Sequence, residues 1–170
     1  PQCTFGLNGI CCRICAMGPC RIKPTKEGQP ESTGVCGATA DTIAARHFIR
    51  MIAGGAAAHS DHGRGVAKML ISVAKGEAPG YEIKDEQKLM ALAMDLEVEI
   101  GERPINDIAL DVGKACLAVF GNQEGEPALL KRAPLKRQAL WREMGIAPRG
   151  VDIEVVEALH RTHAGVDQDY

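Results

Sequence analysis

The chain has 170 residues, 45% of them hydrophobic, and sets 20 Lys and Arg against 22 Asp and Glu for a net charge of −2. This composition excludes a disordered chain, the scattered cations exclude a nucleic-acid or anionic-membrane surface, and an aromatic content of 4% leaves too few rings for base stacking. No apolar run approaches the roughly 20 residues that cross a bilayer, and no basic-then-apolar leader stands at the front, so the expected setting is the cytoplasm.

The first 36 residues hold six of the seven cysteines: Cys3, Cys11, Cys12, Cys15, Cys20 and Cys36. A reducing compartment opposes disulfides and a chain of this length does not need them, so metal binding is the preferred reading. Adjacent side chains diverge, and Cys11 and Cys12 are therefore expected to belong to different sites. Cys12, Cys15, Cys20 and Cys36 then offer four thiolates, three of them around a Gly18-Pro19 loop and one remote, a distribution suited to a cubane iron–sulfur cluster. A Cys₄ zinc site competes, but its commoner form pairs two C-x₂-C knuckles and no second knuckle is present. Cys3 and Cys11 make half a ligand set. A two-fold axis would add the same pair from a second chain, which predicts a homodimer with a cluster shared across its axis. Four cysteines can hold either a [4Fe–4S] or a [2Fe–2S] group there.

From Gly37 onward the apolar residues recur with a helical period, and the expected architecture is all-α: a cluster-binding segment, 1–36, followed by a helical domain, 37–170. Ala40, Ile43, Ala44, His47, Phe48, Met51 and Ile52 form one stripe with Asp41, Arg46 and Arg50 off it, and Cys36 falls just before the start of this helix, where the dipole favours anionic charge. Gly54-Gly55-Ala56-Ala57-Ala58 is expected either to kink the helix or to admit another backbone or a cofactor. A second stretch with His59, His62, Val66, Met69, Leu70 and Val73 on one face runs to about Lys75, where Gly76 and Pro79-Gly80 stop it.

Asp85 to about Ile100 reads as the next helix. Pro104 opens another, carrying Ile105, Ile108, Val112, Cys116 and Phe120 on one face, so Cys116 reads as a small core residue. Residues 127–144 form a segment interrupted by Pro134. Gly150-Val151-Asp152 opens a last helix with Asp152 as its N-cap and with Ile153, Val156, His160 and His163 on one face. Gly165-Val166-Asp167 repeats that opening pattern with only three residues after it, which predicts an N-terminal part of something larger, truncated at its C-terminal end.

His59 and His62 lie three apart, a spacing for a metal pair or a proton relay; residue type alone favours two structural histidines at a helix end. His47, alone on an apolar stripe, reads more firmly as structural.

The run CTFGLNGICCRICAMGPCRI (Cys3–Ile22), the run GVCGATADTIAARHFIRMIAGGAAAHSDHGR (Gly34–Arg64) and the late segment GIAPRGVDIEVVEALHRTHAGVD (Gly145–Asp167) resemble the N-terminal domain of anaerobic nickel–iron–sulfur carbon monoxide dehydrogenases. The resemblance implies a [4Fe–4S] cluster on Cys12, Cys15, Cys20 and Cys36, and a cluster shared across a homodimer on Cys3 and Cys11. It implies proton transfer through His59 and His62. The implied reaction is CO + H₂O → CO₂ + 2 H⁺ + 2 e⁻, with ferredoxin or a similar acceptor taking the electrons and acetyl-CoA synthase as a further partner. It places the Ni-Fe-S cluster in downstream α/β domains, so these 170 residues alone are not expected to oxidise CO. The alternative is a stand-alone iron–sulfur electron carrier or metal-binding module without catalysis.

Overall fold

The computed structural model describes residues 1–122, 124–163 and 166–167, so Gly165 of the second helix-opening triplet lies outside the described residues. Among them the architecture is all-α except for one small two-stranded sheet. The elements are α1 (Thr4–Leu7), β1 (Cys11–Cys12), β2 (Cys20–Arg21), α2 (Ala40–Ala74), α3 (Glu86–Asp95), α4 (Ile105–Ala118), α5 (Leu135–Glu143) and α6 (Val151–Arg161), with 3₁₀ turns at Val119–Gly121 and Ala128–Arg132. The chain divides into two compact units, one of Pro1–Ala56 with Val155–Tyr170 and one of Ala57–Glu154.

The second unit is built around an ordinary apolar core. Leu89 and Ala93 of α3 and Ile108, Ala109 and Val112 of α4 are buried, with Leu70, Leu92, Leu96, Ile105 and Cys116 packed against them. Asp85 starts α3, its Oδ1 accepting the Lys88 N–H at 2.9 Å. The helix ends at Asp95 rather than near Ile100 because Glu97 turns left-handed, at φ 58°. Glu97 N–H then donates to Met94 O at 3.1 Å and Val98 N–H to Ala93 O at 2.8 Å, which is a Schellman closure with glutamate where glycine is usual. A left-handed non-glycine residue costs about 1–2 kcal/mol, and here the Glu97 carboxylate is held by Lys131 Nζ at 2.5 Å.

Pro104 and Pro134 stand at the N-cap positions of α4 and α5, as their missing N–H and fixed φ require. On α4, a Cβ at Gly113 would stand 2.5 Å from Ile71 Cγ1 and 3.3 Å from Ala67 O, so only glycine allows this closeness to the 57–74 part of α2. The opening of α6 differs from expectation: Val151 is already helical, and Asp152 sits in the first turn, 3.6 Å from Arg64, rather than capping it. Glu154 takes over the end, accepting the Arg149 N–H at 3.0 Å and its guanidinium at 2.8 Å.

The glycine run does not break the helix. α2 continues through Gly54 and Gly55 for 35 residues, and among the described residues nothing lies within 4 Å of a Cβ placed at either glycine. Glycine weakens a helix by about 1 kcal/mol per residue without removing its hydrogen bonds, and the alanines on both sides restore the preference.

Candidate metal centre

The site lies in the first unit and starts from the small sheet. β1 and β2 pair antiparallel with Cys11 opposite Arg21 and Cys12 opposite Cys20. Successive strand residues face opposite sides, and accordingly Cys12 is buried while Cys11 is half-buried. Between the strands the loop closes tightly: a Cβ at Gly18 would stand 3.1 Å from Cys12 O and 3.3 Å from Cys20 N. On the approach to α2, Gly37 N–H donates to Gly34 O at 2.9 Å and Gly34 N–H to Ala38 O at 2.8 Å, shaping the loop that carries Cys36. Thr39 Oγ1 accepts the Thr42 N–H at 3.2 Å, capping the start of α2.

The result is a cavity of about 260 Å³ lined by Cys12, Cys15, Cys20 and Cys36, with Arg46 and His163 also on its wall. Its volume is far above the roughly 30 Å³ share of one water. Among the described residues no three His, Cys, Asp or Glu side chains come close enough to share a single metal ion. Four soft thiol donors spread around one cavity, rather than gathered on one point, fit a group with several metal atoms that takes one thiolate at each.

Arg46 is the site residue that the sequence did not reveal. It is 0% exposed, and its Nη1 lies 3.9 Å from both Cys12 Sγ and Cys36 Sγ. The apolar stripe of α2 divides: Phe48, Met51 and Ile52 are 59%, 68% and 55% exposed, whereas Ile43 of the same stripe is buried together with Arg46 and Ala53. Arg46 therefore faces inward beside Ile43 over the first half of this helix, while the later stripe residues face out. Arg50, one turn beyond Arg46, donates to Leu159 O at 3.1 Å and Thr162 Oγ1 at 3.2 Å, which holds the end of α6 within this unit and accounts for His163 at the cavity. His47 is half-buried, and burial, followed by the charges of Arg46 and Arg50, lowers its pKa and favours the neutral ring.

Cys3 and Cys11 do not line the cavity. Cys3 is exposed at the start of α1, where the backbone N–H groups of Gly6 and Phe5 lower its pKa and favour the thiolate. His59 and His62 are exposed on the part of α2 that belongs to the second unit. Cys116 packs against the α3–α4 core, and burial pushes its thiol pKa up, which makes it a poor ligand or nucleophile.

Residues 10–170 match the Prismane/CO dehydrogenase family. Carbon monoxide dehydrogenase 1 of Methanosarcina acetivorans is 52% identical over 169 residues, covering 99% of this chain and 27% of that protein. The structure of a Ni-free carbon monoxide dehydrogenase from Thermococcus sp. AM4 has a TM-score of 0.91 at 48% identity, covering 99% of this chain and 27% of that one. An acetyl-CoA synthase/carbon monoxide dehydrogenase structure, described by NiZn[Fe4S4] and NiNi[Fe4S4] clusters in its alpha subunits, has a TM-score of 0.90 at 40% identity over 99% of this chain and 25% of that one. The chain thus spans about a quarter of the length of the relatives it matches.

Proposed function

The chain belongs to the Prismane/CO dehydrogenase family, and on that premise we propose that it is the N-terminal electron-relay and dimerisation part of a nickel-dependent carbon monoxide dehydrogenase. The whole protein would carry out CO + H₂O → CO₂ + 2 H⁺ + 2 e⁻ in the cytoplasm and pass the electrons to ferredoxin or a similar acceptor. The observation that carries this reading is the single cavity walled by four thiols.

Cys12, Cys15, Cys20 and Cys36 would each bind one iron of a [4Fe–4S] cluster, and such a cluster supplies one-electron transfer at a potential tuned by charge, hydrogen bonds and exposure. The chain's own residues prepare that site. The hairpin sets Cys12 opposite Cys20, the Gly18 turn keeps the loop close, and the capped start of α2 offers its positive end beside the Cys36 loop. Cys3 and Cys11 sit outside the cavity with Cys3 exposed, which supports ligation of a second cluster completed by the same pair from another protomer. His59 and His62, neighbours on an exposed helix face, are suited to accept and pass on the protons the reaction releases.

Nickel chemistry belongs, on this reading, to the portion of the relatives that this chain does not span. The one cysteine after Cys36 is the inert Cys116. Acetyl-CoA synthase is a fitting partner, since one structural relative is an acetyl-CoA synthase/carbon monoxide dehydrogenase.

The test is chemical. Anaerobically prepared protein is expected to hold about four irons and four acid-labile sulfides per chain in the inner site, plus a half share of the outer cluster. The double variant Cys3→Ser/Cys11→Ser is expected to lose the half share alone, together with the dimer's extra spectral signal. A colourless protein containing zinc and no acid-labile sulfide overturns the proposal.

A further inference from the structure

Resting on the [4Fe–4S] reading of the inner site, we propose that Arg46 sets the reduction potential of that cluster by donating to two of its ligand sulfurs from a position sealed from water. Arg46 is a positioning and tuning residue in this role. It does not bind iron.

A guanidinium keeps its charge at any working pH. Arg46 is fully buried, with Nη1 equidistant at 3.9 Å from Cys12 Sγ and Cys36 Sγ. Thiolates bound to iron carry negative charge and accept charge-assisted hydrogen bonds.

The two sulfurs also come from separate parts of the chain, Cys12 from the β-hairpin and Cys36 from the loop before α2. A single Nη1 reaching both ties the remote ligand to the local ones. Its backbone is fixed on α2, a turn after the fully buried Ile43.

The electrostatic consequence has a definite sign. Four thiolates around a [4Fe–4S]²⁺ core give a net charge of −2, and adding one electron makes it −3. A fixed positive charge in a low-dielectric interior stabilises the more negative, reduced state more strongly, as do N–H donors aimed at the sulfurs. Arg46 therefore raises the potential.

Potentiometric titration of the reduced cluster's electron paramagnetic resonance signal, in the anaerobically purified full-length protein, reads this directly. Iron and acid-labile sulfide are counted first in the wild type, so a failure of the cluster reading shows there and not in the variants. With the cluster present, Arg46→Gln is expected to lower the midpoint potential at unchanged iron content. Arg46→Lys, which keeps the charge but not the planar fork, is expected to lower it less. Where only one variant retains its iron, that variant's potential decides. Equal potentials in the wild type and the variants overturn the proposal, and so does loss of iron from both variants, which would make Arg46 a packing residue.

Discussion

The two units of this chain are organised around opposite kinds of interior. In the 57–154 unit the largest fully buried side chains are Ile108 and Val112, drawn from one apolar face of α4 and packed on Leu89 and Ala93 of α3. In the other unit the bulkiest fully buried side chain is a charged one, Arg46, set beside four thiols and only a small apolar cluster of Cys12, Ile22, Ala38 and Ile43. The first interior is stabilised by removing apolar surface from water. The second combines a smaller apolar cluster with thiol donors and a cation, and on the proposed cluster reading it would gain stability when the metal group is bound.

The largest expected effect separates the two directly. Removing iron with a chelator under anaerobic conditions is expected to raise amide exchange around Ala38 and Ile43 by on the order of a hundredfold, while α3 and α4 amides stay protected. Uniform loss of protection in both units would break the contrast. Cutting into the apolar core should do the reverse. Ile108→Ala is expected to cost about 2–5 kcal/mol in urea unfolding of the 57–154 unit, with iron content unchanged.

Gly113→Ala gives a smaller shift of the same kind. Crowding against Ile71 and the Ala67 carbonyl should cost about 1–3 kcal/mol, offset by about 1 kcal/mol of helix preference, so a net loss of about 1 kcal/mol is expected in the same unfolding experiment. Stability equal to the wild type would show that Ile71 moves aside freely.

The smallest effect is electrostatic. The Arg149 guanidinium, more than burial opposes, holds the Glu154 carboxyl below its ordinary pKa. A lowered folded-state pKa contributes stability that is present above about pH 4.3 and is lost as the pH falls through the lower folded value. Both partners are nearly half exposed, so solvent screening limits the term to about 0.5 kcal/mol. Glu154→Gln should remove that difference between urea unfolding at neutral and acidic pH, and an unchanged acid dependence would assign it to other carboxylates.

The cysteines of the candidate site were legible because most of their information is local. Adjacent residues on a strand must diverge, so the Cys11-Cys12 pair was bound to split between two environments, and the structure places Cys12 at the cavity and Cys11 outside it. The starts of α3 and α4 were legible for a similar reason, since Asp85 and Pro104 act on the few backbone groups beside them, whereas Pro134, read as an interruption of 127–144, caps the start of α5. Where a local signal was absent the reading failed. No glycine marks the end of α3, because Glu97 adopts the left-handed turn itself. The Gly54-Gly55 pair, read as a kink or as room for a close approach, leaves α2 uninterrupted, and among the described residues nothing lies within 4 Å of a Cβ placed at either glycine.

By itself, then, the sequence determined an all-α chain with a cysteine-rich front end and the starts of several helices, because each of these depends on neighbours within a few residues. Only the tertiary structure decided which side of α2 faces inward. Periodicity finds an apolar stripe wherever it exists, but burial depends on what stands opposite. Over the first half of α2 that is a cysteine cavity and the end of α6, so Arg46 and Arg50 turn inward while Phe48, Met51 and Ile52 turn out.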